Sequence, residues 1–209
     1  MRSLKNIPEE ANESNLWHRF RQGEELALEQ LMIQNFQVLY RYGTKFSRDD
    51  AFIKDCIQDL FLDLWDRREF LGETITVKAY LMASLRRRLH RGGLSKRWVF
   101  DDSLDSEHLP FTAEFSVEDS FIREETTQAI AYEIKAHLDQ LPKRQKEVVY
   151  LKFFEELDRE EIAGIMGINH QSVSNLLQAA FKHLKAAWKA EFFIFILLTI
   201  VAFLQGYYS

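Results

Sequence analysis

"DREEIAGIMGINHQSVSNLLQAAFKHL", residues 158–184, holds two helical patterns hinged at a glycine. In the second, Val173, Leu176, Leu177, Ala180, Phe181 and Leu184 recur with the three- and four-residue spacing of a single helix face. The opposite face carries Gln171, Ser174, Asn175, Gln178, Lys182 and Lys185. Asn169 is placed to cap this helix, and Gly167 supplies the sharp turn that precedes it. The shorter pattern, "REEIAGIM", turns Ile162, Ile165 and Met166 inward. Together they predict a helix-turn-helix. In that motif the opening residues of the second helix meet base edges in the major groove, so Gln171, Ser172, Ser174 and Asn175 are the candidate readers. A plain helical hairpin in a bundle has the same periodicity, and these residues alone leave it open.

Outward from this stretch the chain continues to read as helix. "LPKRQKEVVYLKFFEEL" opens at Pro142, a favourable first-turn residue, and offers Val148, Val149, Leu151 and Phe153 as an inner face. Lys143, Arg144 and Lys146 sit at its start, where cations oppose the helix dipole and a phosphate neighbour or simple solvation would accommodate them. The 209 residues contain eight Gly and three Pro, 46% are hydrophobic, and no run alternates strictly. The expected fold class is therefore all-α, with two small helical domains. Cys56 is the lone cysteine, which excludes an internal disulfide and a cysteine-based zinc site and suits a reducing cytosol. "MRSLKNIPEEANE" has no apolar core for a secretory signal.

The net charge is -5, yet its distribution is uneven. In "DDAFIKDCIQDLFLDLWDRRE", Ile53, Ile57, Leu60, Phe61 and Leu64 form an apolar stripe. Asp55, Asp59 and Asp63 follow one another at four-residue steps on the other side, with Gln58 beside them. Such a row is a ligand set for a metal-dependent nuclease, a solvated face, or a docking surface for a basic partner; no histidine or glutamate completes the first. Next comes "VKAYLMASLRRRLHRGGLSKRW", anchored by Leu81, Leu85 and Leu89, with Arg86, Arg87, Arg88, Arg91 and Lys96 projecting as a phosphate-binding surface. Tyr80, Trp98 and Phe100 are interleaved, either to stack on unpaired bases or to be buried.

Taken in order, "FRQGEELALEQLMIQNFQVLYRYGTKFS", "DCIQDLFLDLW" and "AYLMASLRRRL" resemble region 2 of the sigma-70 family, extracytoplasmic-function (ECF) group, and "LPKRQKEVVYLKFFEELDREEIAGIMGINHQSVSNLL" resembles its region 4. The resemblance implies a transcription initiation factor without cofactor, metal or enzymatic activity. It implies docking on the beta-prime clamp helices of core RNA polymerase through Asp55, Gln58, Asp59, Phe61, Asp63 and Trp65, with the beta flap as a second contact. It implies minus-10 capture and melting by the segment from Glu73 to Arg91, with Lys78, Tyr80, Arg86, Arg87, Arg88 and Arg91 on the DNA and a flipped base held. The minus-35 element would fall to His170, Gln171, Ser172, Ser174, Asn175, Gln178 and Lys182. Partners are then the polymerase, promoter DNA and an anti-sigma factor. The chain departs from the family where Arg86 to Arg88 stand in place of a common asparagine, and at Ser174 and Ala179 in place of common cations, so weak binding to free DNA is expected.

The expected boundaries are a region 2 domain at 1–98, an acidic linker at 99–117, a region 4 domain at 118–189 and an apolar tail at 190–209. The linker includes "DDSLDSEH", a charge mimic of nucleic acid or plain disorder. At about 3.3 Å per residue it reaches several tens of ångströms. The tail run Phe192–Leu204 makes a helix of about 20 Å, short of a hydrocarbon core of about 30 Å. Extended over residues 192–208, with Tyr207 and Tyr208 as interface anchors and Lys182, Lys185 and Lys189 on the flank, it reaches the low end of a membrane span. Packing on the second domain or on an inhibitory partner is the alternative. The expected location is the cytoplasm, membrane-associated if the tail inserts. An autonomous helix-turn-helix regulator is the first rival reading and the nuclease the second.

Overall fold

The computed structural model describes residues 7–73, 76–97, 111 and 134–187. Among these every regular element is helical, as the periodicities predict. The first half comprises α1 (Ile7–Arg21), α2 (Glu25–Gly43), α3 (Asp50–Arg67) with a 3-10 turn at Arg68–Phe70, and α4 (Val77–Arg97). α2, α3 and α4 pack against one another, and α1 lies against α2 and α4. Their stripes meet in a core that fully buries Phe20, Tyr42, Ile53, Ile57, Leu81, Leu85 and Leu89. The Asp49 carboxylate starts α3 by accepting from the Phe52 amide at 2.9 Å, satisfying a donor that the helix leaves open. At Gly43, the last residue of α2, a Cβ would lie 2.6 Å from Cγ2 of Ile53; glycine is what lets α3 close on α2.

The second half has helical residues 134–139, then α5 (Lys143–Phe153), α6 (Arg159–Met166) and α7 (His170–Ala187). α5 and α6 both pack on α7. α6 opens with a full capping box: Asp158 accepts from the Glu161 amide at 2.8 Å, and Glu161 accepts from the Asp158 amide at 2.7 Å. It ends at Gly167, whose φ of 65° is the left-handed turn that glycine adopts without strain. Asn169 then caps α7, accepting from the Ser172 amide at 2.7 Å.

The halves share an interface. α4 packs along α6, and small buried residues on both, Ala79 and Ala83 on one and Ala163 on the other, permit a close approach. Of the expected linker at 99–117 only Phe111 is described, and it is 2% exposed, wedged edge-on to Phe46 at 5.2 Å and tilted against Tyr150 at 5.8 Å. Tyr42 and Tyr150 stack across the same boundary at 6.2 Å. The rest of the linker and the tail at 190–209 lie outside the described residues, as do Trp98 and Phe100. No helix among the described residues is long and apolar enough to cross a membrane.

Candidate nucleic-acid and partner interfaces

α3 sets its acids on the surface because its other face supplies the core. Asp55, Gln58, Asp59 and Asp63 are exposed, while the stripe from Ile53 to Leu64 is buried. Phe61 belongs to that stripe at 4% exposure, so its expected place on the docking surface is corrected: it holds the ridge from beneath. The exposed apolar residue is Leu62, at 61%, set among the aspartates. It follows Phe61 by one residue, about 100° further round the helix, and this departure from the stripe was the available signal. Trp65 is half-buried, covered by the Arg68 guanidinium at 4.4 Å. Arg88 of α4 reaches across to form an ion pair with Asp63 and comes within 4.0 Å of Asp59. The aspartate row therefore faces an arginine, and among the described residues no group of three or more acids, histidines or cysteines gathers as a metal site.

On α4, Leu81, Leu85 and Leu89 are buried as expected, but the basic residues do not form a common surface. Arg87 and Arg91 are exposed. With Arg67, Arg88, Asp63, Tyr80 and Ser84 they line a cavity of about 130 Å³ between α3 and α4, to which Leu60, Leu64 and Leu71 add apolar wall. Arg88 is engaged there by Asp63, which leaves the guanidinium groups of Arg67, Arg87 and Arg91 beside the apolar wall, a setting that suits a phosphate next to a flat base. Tyr80 packs edge-on to Trp17 at 5.6 Å, and Trp17 pins the loop behind α3 by donating to the Gly72 carbonyl at 3.1 Å.

Lys78 and Arg86 turn the other way, toward the second half. Arg86 donates to both carboxylate oxygens of Glu147, at 2.7 and 3.2 Å, and the Tyr42 hydroxyl donates to Glu147 at 2.9 Å. The Lys78 ammonium donates to the Glu155 carbonyl at 3.0 Å and lies 2.7 Å from a carboxylate oxygen of the same residue. Tyr150 donates to the other oxygen at 2.8 Å, and Arg41 approaches it at 3.2 Å. Glu147 is 2% exposed and Glu155 4%. The expectation that Arg86 projects is thus corrected for this conformation: a buried glutamate of the second half holds it, and another holds Lys78, which the resemblance set on the minus-10 DNA. Sequence reading missed Glu147 and Glu155, because an acid in a cationic helix or in the turn after it carries no sign of its distant partner.

The phenols respond to this setting. Burial first, and the Glu147 charge second, push Tyr42 well above the usual phenol range; burial and the Glu155 charge do the same to Tyr150. The Arg86 guanidinium is pulled down by burial, but Glu147 outweighs that and its net shift is upward. A phenol raised on folding keeps its proton longer in the folded chain. Its stabilisation is therefore complete below about pH 10 and is lost as pH climbs from there. Melting followed by circular dichroism should show the midpoint falling from about pH 10 upward, and Tyr42→Phe should flatten the fall. An equally steep fall in that variant would contradict this assignment.

α7 presents its polar face as expected. His170, Gln171, Asn175, Gln178 and Lys182 are exposed, with Ser172 and Ser174 half-buried. Gln171 Nε2 donates to Asn175 Oδ1 at 2.9 Å, which aligns the two amides side by side, whereas the Ser174 hydroxyl is turned back to the His170 carbonyl at 3.2 Å. Val173, Ala180 and Leu184 are buried, but Phe181 is 44% exposed and packs edge-on to Phe153, itself 52% exposed, at 5.9 Å. Both rings were expected in the core; they form a surface pair instead. Lys146 is also buried rather than available to a phosphate, its ammonium donating to the Asp139 carbonyl at 2.8 Å.

Residues 132–184 match the family model described as sigma-70, region 4. No curated protein matches the chain in sequence. Among solved structures, CnrH in complex with the cytosolic domain of CnrY is similar at a TM-score of 0.54 and 16% identity, over 83% of this chain and 95% of that one. The sigma factor RpoE of Bartonella quintana, solved with the anti-sigma factor NepR, is similar at 0.54 and 18% identity, over 76% and 94%. At such identities the likeness is one of fold. Residues 132–184 therefore match a sigma-70 region 4, and the described structure has the fold of CnrH and of the sigma factor RpoE.

Proposed function

We propose that the chain acts as an alternative sigma factor: it binds core RNA polymerase, directs it to a restricted set of promoters and takes part in their opening, leaving catalysis to the polymerase. The observation that carries this reading is the capped helix-turn-helix within the region 4 match, with its amide pair Gln171 and Asn175 exposed at the start of α7. In this reading that face contacts the minus-35 element. The aspartates of α3, with Leu62 among them, dock on the clamp helices of beta-prime. The exposed Phe153 and Phe181 pair offers the beta flap an apolar seat. The arginine-lined cavity between α3 and α4 receives the melted minus-10 strand. An anti-sigma factor is a further partner, by analogy with the RpoE and NepR complex.

A DNA reader with a net charge of -5 needs help with affinity, since phosphate neutralisation supplies most of it. In this reading a polymerase that itself holds DNA provides that help. The double variant Gln171→Ala/Asn175→Ala should lower promoter-directed transcription by the holoenzyme by about tenfold to a hundredfold, as loss of a paired-amide contact to a base does, and leave polymerase copurification unchanged. Transcription at wild-type levels from every template would contradict the assignment of α7 as a reader.

A further inference from the structure

We propose that this chain holds itself shut, with Glu147 and Glu155 of the region 4 half occupying, in place of DNA phosphates, the cations of the region 2 half. The inference rests on the reading of α4 as a strand-binding helix, and it deepens that reading by adding a self-imposed gate.

The geometry is that of a built lock. A surface ion pair is worth little, and its partners stay exposed. Here both carboxylates are buried, and each is held from several directions by groups of the other half: Glu147 by Arg86 and Tyr42, Glu155 by Lys78 and Arg41. The two-oxygen grip of Arg86 on Glu147 is the geometry that a guanidinium offers a phosphate. An aromatic layer seals the site beside them. Tyr42 and Phe46 come from the first half, Tyr150 from the second, and Phe111 from the connection between them. Phe111, a residue between the two halves in sequence, packs in the seam against rings of both.

The lock is also selective about what it covers. Lys78 and Arg86 are withdrawn, and α4 is covered along the side facing α6. Arg87, Arg91 and the arginine-lined cavity remain on the surface, as do Gln171 and Asn175 of α7. The closed chain thus keeps its duplex-reading face open while its strand-binding helix is partly masked. Opening requires each glutamate to trade protein cations for water while each cation trades carboxylate for phosphate. Because ion pairs hold the halves beside that aromatic layer, opening exchanges one set of charge partners for another, and the exchange is reversible.

The test uses the full chain, with donor and acceptor dyes on exposed positions of α3 and α7, and needs no polymerase. Energy transfer reports closure, and anisotropy of a fluorescein-labelled single-stranded DNA 12-mer reports strand binding. The wild type should show high transfer. Glu147→Gln/Glu155→Gln should lose it and bind the 12-mer about tenfold more tightly or better, the gain expected when a gate open in a tenth of molecules or fewer is removed. Glu147→Arg alone should open the chain, and Glu147→Arg/Arg86→Glu should restore transfer; since the swap alters two core groups, its recovery shows that the pairing and not the fold was lost. Low transfer in the wild type would overturn the proposal. So would opening without a gain in strand affinity, or unchanged transfer in the glutamine variants. Polymerase docking and promoter-directed transcription, measured separately, report on the sigma-factor reading alone, so the two can fail independently.

Discussion

Asp59→Lys/Asp63→Lys is expected to remove the chain from core polymerase, weakening copurification by about a hundredfold or more, because like charges set opposite each other at an interface cost several kcal/mol. The fold should survive. Both aspartates are exposed on α3, where Arg88 of α4 pairs with Asp63 and comes within 4.0 Å of Asp59. Circular dichroism should therefore match the wild type, and the melting midpoint should fall only by the small cost of exchanging an exposed ion pair for like charges. Leu62→Asp adds a check that charge alone does not provide. Leu62 is 61% exposed among those acids, and in the proposed docking it is the ridge's apolar contact. Its loss should weaken docking by about tenfold, the scale of a moderate interface residue. Copurification of the double aspartate variant at wild-type levels would show that the ridge is only a solvated face.

Val173→Asp is expected to unfold the second half. Val173 is 0% exposed at the first buried position of α7, where α5 and α6 both pack. An aspartate there meets no donor and must either bury a charge or break the hairpin, a penalty of about 3 kcal/mol or more. Against a typical total stability of about 5–15 kcal/mol, that leaves little margin for a small helical domain. A urea titration followed by circular dichroism should show loss of the signal of α5, α6 and α7 ahead of the remainder. Leu177→Asp should do less, because Leu177 is only half-buried and its carboxylate can reach water. A wild-type titration for Val173→Asp would contradict the assignment of α7 to the core of this half.

The difference between those two positions illustrates what was legible in the sequence. Helical periodicity is a property of neighbours three and four residues apart, so α3, α4 and α7 could be read with their inner faces nearly complete. The turn at Gly167 and the cap at Asn169 were equally local. Periodicity does not say how wide the buried stripe is, and so it placed Phe153 and Phe181 inside although both sit at its rim. It also says nothing of contacts across the chain. Arg86 and Glu147 are 61 residues apart and Lys78 and Glu155 are 77 apart, and no local pattern joins them. The arginines of α4 look alike in sequence, yet Arg87 and Arg91 face solvent, Arg88 faces Asp63, and Arg86 is engaged by Glu147. The acid ridge was legible as a ridge because its aspartates share one helix face. Phe61 was misassigned to that ridge because a motif names residue types without saying which of them supports the surface from below.

The central claim is that promoter choice arises only when this chain joins a core polymerase. Its most direct test is transcription in vitro from a fragmented genomic DNA library, with core enzyme alone, the chain alone and the two together, followed by mapping of RNA 5′ ends. The account predicts transcripts that start at a small set of sites, share common sequence near minus 10 and minus 35, and appear only in the combined reaction. Start sites identical to those of core enzyme alone would contradict it.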